Sequence, residues 1–243
     1  MSSLVIGIPT IANQALEIMK RVINENEKTQ KITDQAAGPL PLASAMSDFF
    51  ELASGIEQKE GPQPESEAIS ELAHYALDLL DRLASQLWHL DIHDQRDNMA
   101  RLFASLAVWF ARQNAMLENL QATADSFAIL VNGEQDSGEL ANLSRLIDEV
   151  LESASDEIKT DEDRSDPWRP WRVLNLNSGV AATRALDTQL MQSIFEHMEH
   201  RLPYDLPGFF ADGKRQMESQ DVPQEVNNLI SQYAEKWPFN SSH

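Results

Sequence analysis

Cysteine is absent from the 243-residue chain. This absence excludes disulfides, thiolate zinc sites, iron–sulfur ligation and cysteine nucleophiles. Glycine is scarce, with nine residues, and neither a G-x-G-x-x-G dinucleotide motif nor a G-x-S-x-G nucleophile motif occurs. These features give no catalytic signature, although a catalytic site assembled from distant helices would leave no such signature either.

Long hydrophobic runs are also lacking. The most apolar stretch, residues 102–111, has about half the length that a membrane span needs. Residues 1–14 have no basic segment and no convincing cleavage site, so we expect no secretory signal. The sequence predicts a cytoplasmic protein that does not enter a membrane.

Basic residues are few, with 19 Lys and Arg against 39 Asp and Glu and a net charge of −20. Most of the acidic excess lies in residues 65–163, which carry 6 basic and 21 acidic side chains. Such a charge repels phosphate backbones, so we expect no nucleic-acid partner. It suits a basic protein partner, or it keeps the protein in solution.

Helical periodicity dominates the remaining sequence, with apolar side chains spaced three or four residues apart. The predicted fold class is all-α, an antiparallel helical bundle or an irregular α-α solenoid of about 8–10 helices around a single main core. Helices are predicted over residues 11–30, 42–56, 69–90, 97–114, 116–131 and 140–158, with further helices beginning after Asp187, Asp205 and Asp221.

Composition divides the chain into three segments that pack as one globule. Residues 1–64 are predicted to be an N-terminal helical arm with linkers, 65–163 an acidic four-helix block, and 164–243 a C-terminal helical subdomain. Proline and glycine between the first two segments stop helices there. We expect the arm to dock on the core or on a second copy, which would form a homodimer.

One predicted helix pair resembles part of a tetratricopeptide repeat. Residues 103–110 carry Phe103, Leu106, Ala107 and Phe110 in the order of that repeat, but no second copy appears at a period near 34 residues. No repeat family is therefore identified.

Trp168, Arg169, Trp171 and Arg172 form the most unusual cluster in the sequence. Tryptophan and arginine are enriched at interface hot spots, and the two arginines could also bind a carboxylate or phosphate while the tryptophans stack on a flat ligand. The structural alternative is a helix entered through Pro170, with both tryptophans packed on the four-helix block and the arginines paired with the acidic residues 161–163.

His89 and His93 are four residues apart and would share a helical face if the helix continued through both. That spacing can place two imidazoles on one metal ion. No third histidine lies nearby and no glutamate holds the metalloprotease position, so we assign no metal and no other cofactor.

The sequence is compatible with two functions. The leading hypothesis is a non-catalytic interaction or adaptor protein that binds its partner through the four Trp and Arg residues. The rival is a small-molecule-binding protein or enzyme with a pocket between the four-helix block and the C-terminal subdomain, where Arg169, Arg172 or His93 supplies polar contacts.

Overall fold

The computed structural model describes residues 4, 6–34, 36–61, 64–162, 164–218 and 222–239. Within these ranges the chain is all-α and has no strand, which confirms the predicted fold class. No helix among them combines the length and the apolar character needed to cross a membrane. The helices are α1 (Ile8–Thr29), α2 (Pro39–Glu57), α3 (Ser66–His89), a 3-10 helix (His93–Gln95), α4 (Arg96–Arg112), α5 (Gln121–Gly133), α6 (Ser137–Glu152), α7 (Asp156–Thr160), α8 (Pro170–Arg184), α9 (Thr188–Arg201), α10 (Leu206–Glu218) and α11 (Gln224–Lys236).

Helix α4 lies at the centre of the fold. It contacts α1, α3, α5 and α6, and its stretch from Met99 to Phe110 is buried apart from Arg101. A helix that is apolar on nearly all sides must be covered on nearly all sides. The surrounding helices therefore form one continuous core with α4, and the apolar residues of α8 to α11 belong to the same core.

The N-terminal arm docks on the core of its own chain. Glu57 at the end of α2 accepts a hydrogen bond from the Ile8 backbone N–H at 3.0 Å and from Trp109 Nε1 at 3.1 Å. A carboxylate is favoured at a helix N-terminus because the first backbone N–H groups there have no partner within the helix. One side chain thus joins α1, α2 and α4.

Two predicted helices are wrong in their bounds. The helix expected from residue 116 begins at Gln121, and the helix expected to reach residue 158 ends at Glu152 before the short α7. Between them the backbones of Leu117 and Ala154 form an isolated parallel bridge. The Leu117 N–H donates to the Ser153 carbonyl at 2.7 Å and the Leu117 carbonyl accepts from Ser155 at 2.9 Å. These bonds between distant segments replace helical ones.

Helix α8 attaches the C-terminal third to the rest of the molecule. It packs on α5, α6 and α9, and the buried Ser144 and Ser178 hydroxyls each donate to the other residue's backbone carbonyl. A Cβ atom at Gly179 would lie 2.8 Å from Met198 Sδ and 2.8 Å from Phe209 Cζ. Small residues therefore allow α8 to approach its neighbours closely.

Helix starts in this third agree with the sequence where they are described. The Asp187 carboxylate accepts the Gln189 and Leu190 N–H groups at 3.1 Å, which confirms it as the N-cap of α9. Asp205 precedes α10 as expected. The predicted cap at Asp221 lies outside the described residues.

Candidate functional site

We call residues 166–172 the Trp–Arg segment. Its two tryptophans have different surroundings, because α8 begins between them. Pro170 is the first residue of α8, a position that suits proline because its missing N–H has no helical partner there. Trp171 then points into the core and is 3% exposed, whereas Trp168 precedes the helix and is 74% exposed. The expectation that both tryptophans pack inward is wrong for Trp168, because it lies outside the helix that buries Trp171.

Both arginines of the segment bind carboxylates. Arg169 is buried and donates to both oxygens of Asp161, from Nε at 2.5 Å and from Nη2 at 3.1 Å. Its Nη2 also donates to Asp205 at 2.8 Å, and Arg172 Nε reaches the second oxygen of Asp205 at 2.5 Å. We call Asp161, Arg169, Arg172 and Asp205 the Arg–Asp network.

The Arg–Asp network has the properties of a structural element. The hydrogen bond with Asp161 is the largest cause that raises the pKa of the Arg169 guanidinium above its ordinary value. The two arginines also donate to backbone carbonyls, Arg169 Nη1 to that of Asp166 and Arg172 Nη1 to that of Pro167. Bidentate arginine–carboxylate pairs are among the strongest protein hydrogen bonds. The expected pairing with the upstream acidic run is confirmed for Arg169 and Asp161, but it is wrong for Arg172, which pairs with Asp205.

A second network continues from Trp171. Its indole Nε1 donates to the Arg201 carbonyl at 3.2 Å. The Arg201 side chain donates to Asp148 at 2.6 Å and also to Glu152, and His197 contacts the same Asp148 carboxylate at 3.0 Å. These bonds connect the start of α8 through α9 to α6, so the buried half of the segment joins the C-terminal helices to the acidic block.

Two exposed aromatic side chains, Trp168 and Tyr204, are next in the chain to residues of the Arg–Asp network. Trp168 and Tyr204 are 74% and 72% exposed and are the chain neighbours of Arg169 and Asp205, which are bonded to each other. Arg164 lies over the Tyr204 ring, 4.1 Å from its centroid. We call Trp168 and Tyr204 the aromatic pair. Each of the two is the chain neighbour of a residue in the Arg–Asp network, and most of its side chain is exposed.

His89 and His93 do not share a helical face, because α3 ends at His89 and the chain turns before the 3-10 helix begins at His93. Asp91 in this turn adopts a φ of 58°. His89 Nδ1 lies 2.8 Å from the Ser85 carbonyl, while the His93 ring contacts the edge of Trp88. Among the described residues, no three His, Asp or Glu side chains are placed to hold a metal ion.

Residues 208–214 have the spacing G-x-x-x-x-G-K of a phosphate-binding loop, with Arg215 in place of the usual Ser or Thr. In that motif the backbone forms an irregular loop whose N–H groups surround the phosphates. Here the whole stretch is helical within α10. The spacing therefore does not form a phosphate site.

Four open or partly open cavities are lined by residues of α2, α3, α4, α6, α7 and their connecting loops, or of α9 and α11. Arg169, Arg172 and His93, which the rival hypothesis placed around a ligand, line none of these four. The two arginines are instead engaged by Asp161 and Asp205.

Comparisons with protein-family models, with curated proteins and with solved structures found no match to this chain. A fold class is shared by proteins of many unrelated activities. Function is therefore inferred from the chemistry and exposure of the side chains.

Proposed function

We propose that this chain is a non-catalytic, cytoplasmic interaction protein that binds a protein partner through the aromatic pair. The observation that carries the proposal is that Trp168 and Tyr204 are exposed while their chain neighbours Arg169 and Asp205 are bonded to each other. Tryptophan and tyrosine are enriched among the residues that dominate binding energy at interfaces.

The Arg–Asp network supports this proposal energetically. Binding costs free energy when it immobilises loops and side chains, so a segment that is already fixed loses less on association. Arg169 and Arg172 donate to the Asp166 and Pro167 carbonyls, which precede Trp168. Arg169, which follows Trp168, is bound by Asp161 and Asp205. In this proposal they position Trp168 and do not contact the partner directly.

The acidic block supports a partner with a basic surface. Oppositely charged surfaces accelerate encounter and disfavour wrong partners more than they add affinity. The partner then combines an apolar pocket for Trp168 with positive charge around it. Homodimer formation through residues 1–64 stays a separate prediction, and a dimer that is lost when those residues are deleted would confirm it.

Affinity capture from a lysate of the native host tests the proposal. The tagged wild-type chain is compared with Trp168→Ala, Tyr204→Ala and the control Trp88→Ala, since Trp88 is equally exposed at 72% on another surface. Captures at low and moderate salt separate charge-driven contacts from specific ones. We expect a stoichiometric partner that Trp168→Ala loses and Trp88→Ala retains. Equal recovery with both variants contradicts the proposal.

A further inference from the structure

An open apolar groove of about 960 Å³ lies between α2 and α3. One face of each helix lines it, because the lining positions on both helices are spaced three or four residues apart. Ile56 is buried in this lining, whereas Leu52 and Tyr75 are 55% and 44% exposed. Large apolar side chains exposed together on one strip mark a surface that a partner can cover.

Carboxylates surround this apolar strip. Asp48, Glu51, Glu60 and Glu71 line the groove and are all exposed, and its lining contains no basic side chain. In the part of the chain that the structure describes, none of these four carboxylates belongs to an ion pair. Carboxylates elsewhere on the surface do, such as Glu149 with Arg112. The groove therefore combines an apolar strip with uncompensated negative charge.

We propose that this groove binds a basic amphipathic α-helix of another protein. Both walls are helices whose backbone N–H and C=O groups are bonded internally, so the groove offers side chains and no strand edge. A bound segment must then satisfy its own backbone, as a helix does in helix-in-groove recognition. Its apolar face contacts Leu52 and Tyr75, and its flanking Lys or Arg side chains pair with the four carboxylates.

The size of the groove sets the length of the bound helix. Residues 48–56 of α2 extend over about 12 Å at 1.5 Å per residue, which matches two to three turns of a bound helix. Apolar anchors at positions i, i+3 or i+4, and i+7 on the partner would follow this strip.

A second copy of this chain is a poor occupant. The chain carries a net charge of −20, so two copies repel each other, and the repulsion is strongest where an acidic rim is covered. The groove is also independent of the aromatic pair, because none of its lining residues belongs to the Trp–Arg segment. Failure of one proposal therefore leaves the other standing.

The test uses the full chain and a fluorescein-labelled synthetic peptide of about 14 residues, long enough for a few helical turns. The peptide has leucine on one helical face and lysine along both edges, and a scrambled peptide of the same composition is the first control. Fluorescence anisotropy measures Kd for the wild type, for Leu52→Ser and for the double variant Glu51→Gln with Glu71→Gln. The matched controls are Glu235→Gln on α11 and Trp168→Ala.

We expect the amphipathic peptide to bind at least about tenfold more tightly than the scrambled one, because only the first presents a continuous apolar face. Leu52→Ser and the double variant should each raise Kd by about five- to tenfold, while both controls leave it unchanged. Circular dichroism should match the wild type for every variant, since the substituted side chains are exposed.

Three results would overturn the groove as the binding site. No detectable binding of the amphipathic peptide is the first. Equal binding of the scrambled peptide is the second, because it would reduce the interaction to net charge. A loss of binding in Trp168→Ala with none in Leu52→Ser is the third, because it would place the peptide on the aromatic pair.

Discussion

Carboxylate side chains are paired with arginines in the Arg–Asp network and, among the described residues, have no paired cation in the α2–α3 groove. In the network, Asp161 and Asp205 are bound by Arg169 and Arg172 and are largely shielded from water. In the groove, the exposed Asp48, Glu51, Glu60 and Glu71 surround an apolar strip. Carboxylates that are paired inside the fold stabilise it, whereas carboxylates left without a cation remain available to a partner. Net charge alone does not distinguish the two roles.

The greatest loss of stability is expected for Trp171→Ala, whereas Trp168→Ala should change stability little. Trp171→Ala removes a side chain that is 3% exposed and its bond to the Arg201 carbonyl, so the free energy of unfolding should fall by about 3–5 kcal/mol. Trp168→Ala removes an exposed ring and should change it by less than about 0.5 kcal/mol. Urea denaturation followed by circular dichroism measures both. Similar losses would show that Trp168 supports the fold.

The next prediction compares the loss of stability in Arg169→Ala with that in Arg164→Ala. Arg169→Ala leaves Asp161 without its close cation and Asp205 with Arg172 alone. The loss should cost about 3 kcal/mol, because breaking a buried pair leaves the Asp161 charge uncompensated. Arg164 is the control, since its contacts with Tyr204 and Asp161 are longer and its side chain is 47% exposed. Arg164→Ala should cost less than about 1 kcal/mol by the same urea measurement. A cost for Arg164→Ala equal to that for Arg169→Ala would contradict the structural role of the network.

A smaller effect concerns Glu134, whose carboxylate is bound by backbone N–H groups instead of arginine. Hydrogen bonds from Asp136 and Gln135 at 3.0 and 2.8 Å lower the pKa of Glu134 below its ordinary value. A folded pKa below the unfolded one adds stability above the unfolded value, near pH 4.3, and that stability is lost as pH falls through the folded pKa.

Replacing Glu134 by glutamine checks that direction. The amide oxygen still accepts hydrogen bonds but carries no charge, so Glu134→Gln should be less stable than the wild type at pH 7 and should approach it at low pH. Unfolding free energies from urea denaturation at pH 7, 5 and 3 measure the difference. A difference that is constant over this range would rule out the ionised carboxylate as its source.

The sequence was sufficient for most of the helices and for several of the local signals that begin them. Apolar side chains at three- and four-residue spacing located α1 to α4, and Asp187 and Pro170 marked the starts of α9 and α8. These signals depend only on neighbours along the chain. The bridge between Leu117 and Ala154 shortened two predicted helices, because its bonds join segments that are distant in sequence.

The candidate sites were predictable only in part. Composition identified the Trp–Arg segment, but Asp205, the partner of both arginines, is more than thirty residues away in the chain, so the network could not be read locally. The groove had a weak signal, since Leu52 lies off the apolar stripe of α2 and next to Glu51. Its second wall, including Tyr75, comes from α3, and only the packing of the two helices brings them together.

We infer that the paired carboxylates stabilise the fold while the groove carboxylates do not. The most direct test is the urea unfolding free energy of Asp205→Asn beside that of Glu71→Gln, two neutralisations that keep the shape of the side chain. The Asp205 carboxylate accepts hydrogen bonds from two arginines, so Asp205→Asn should lower the unfolding free energy by about 1–3 kcal/mol. Glu71→Gln should change it by no more than about 0.5 kcal/mol. Equal losses would contradict the claim and would assign the groove carboxylates to the stability of the fold.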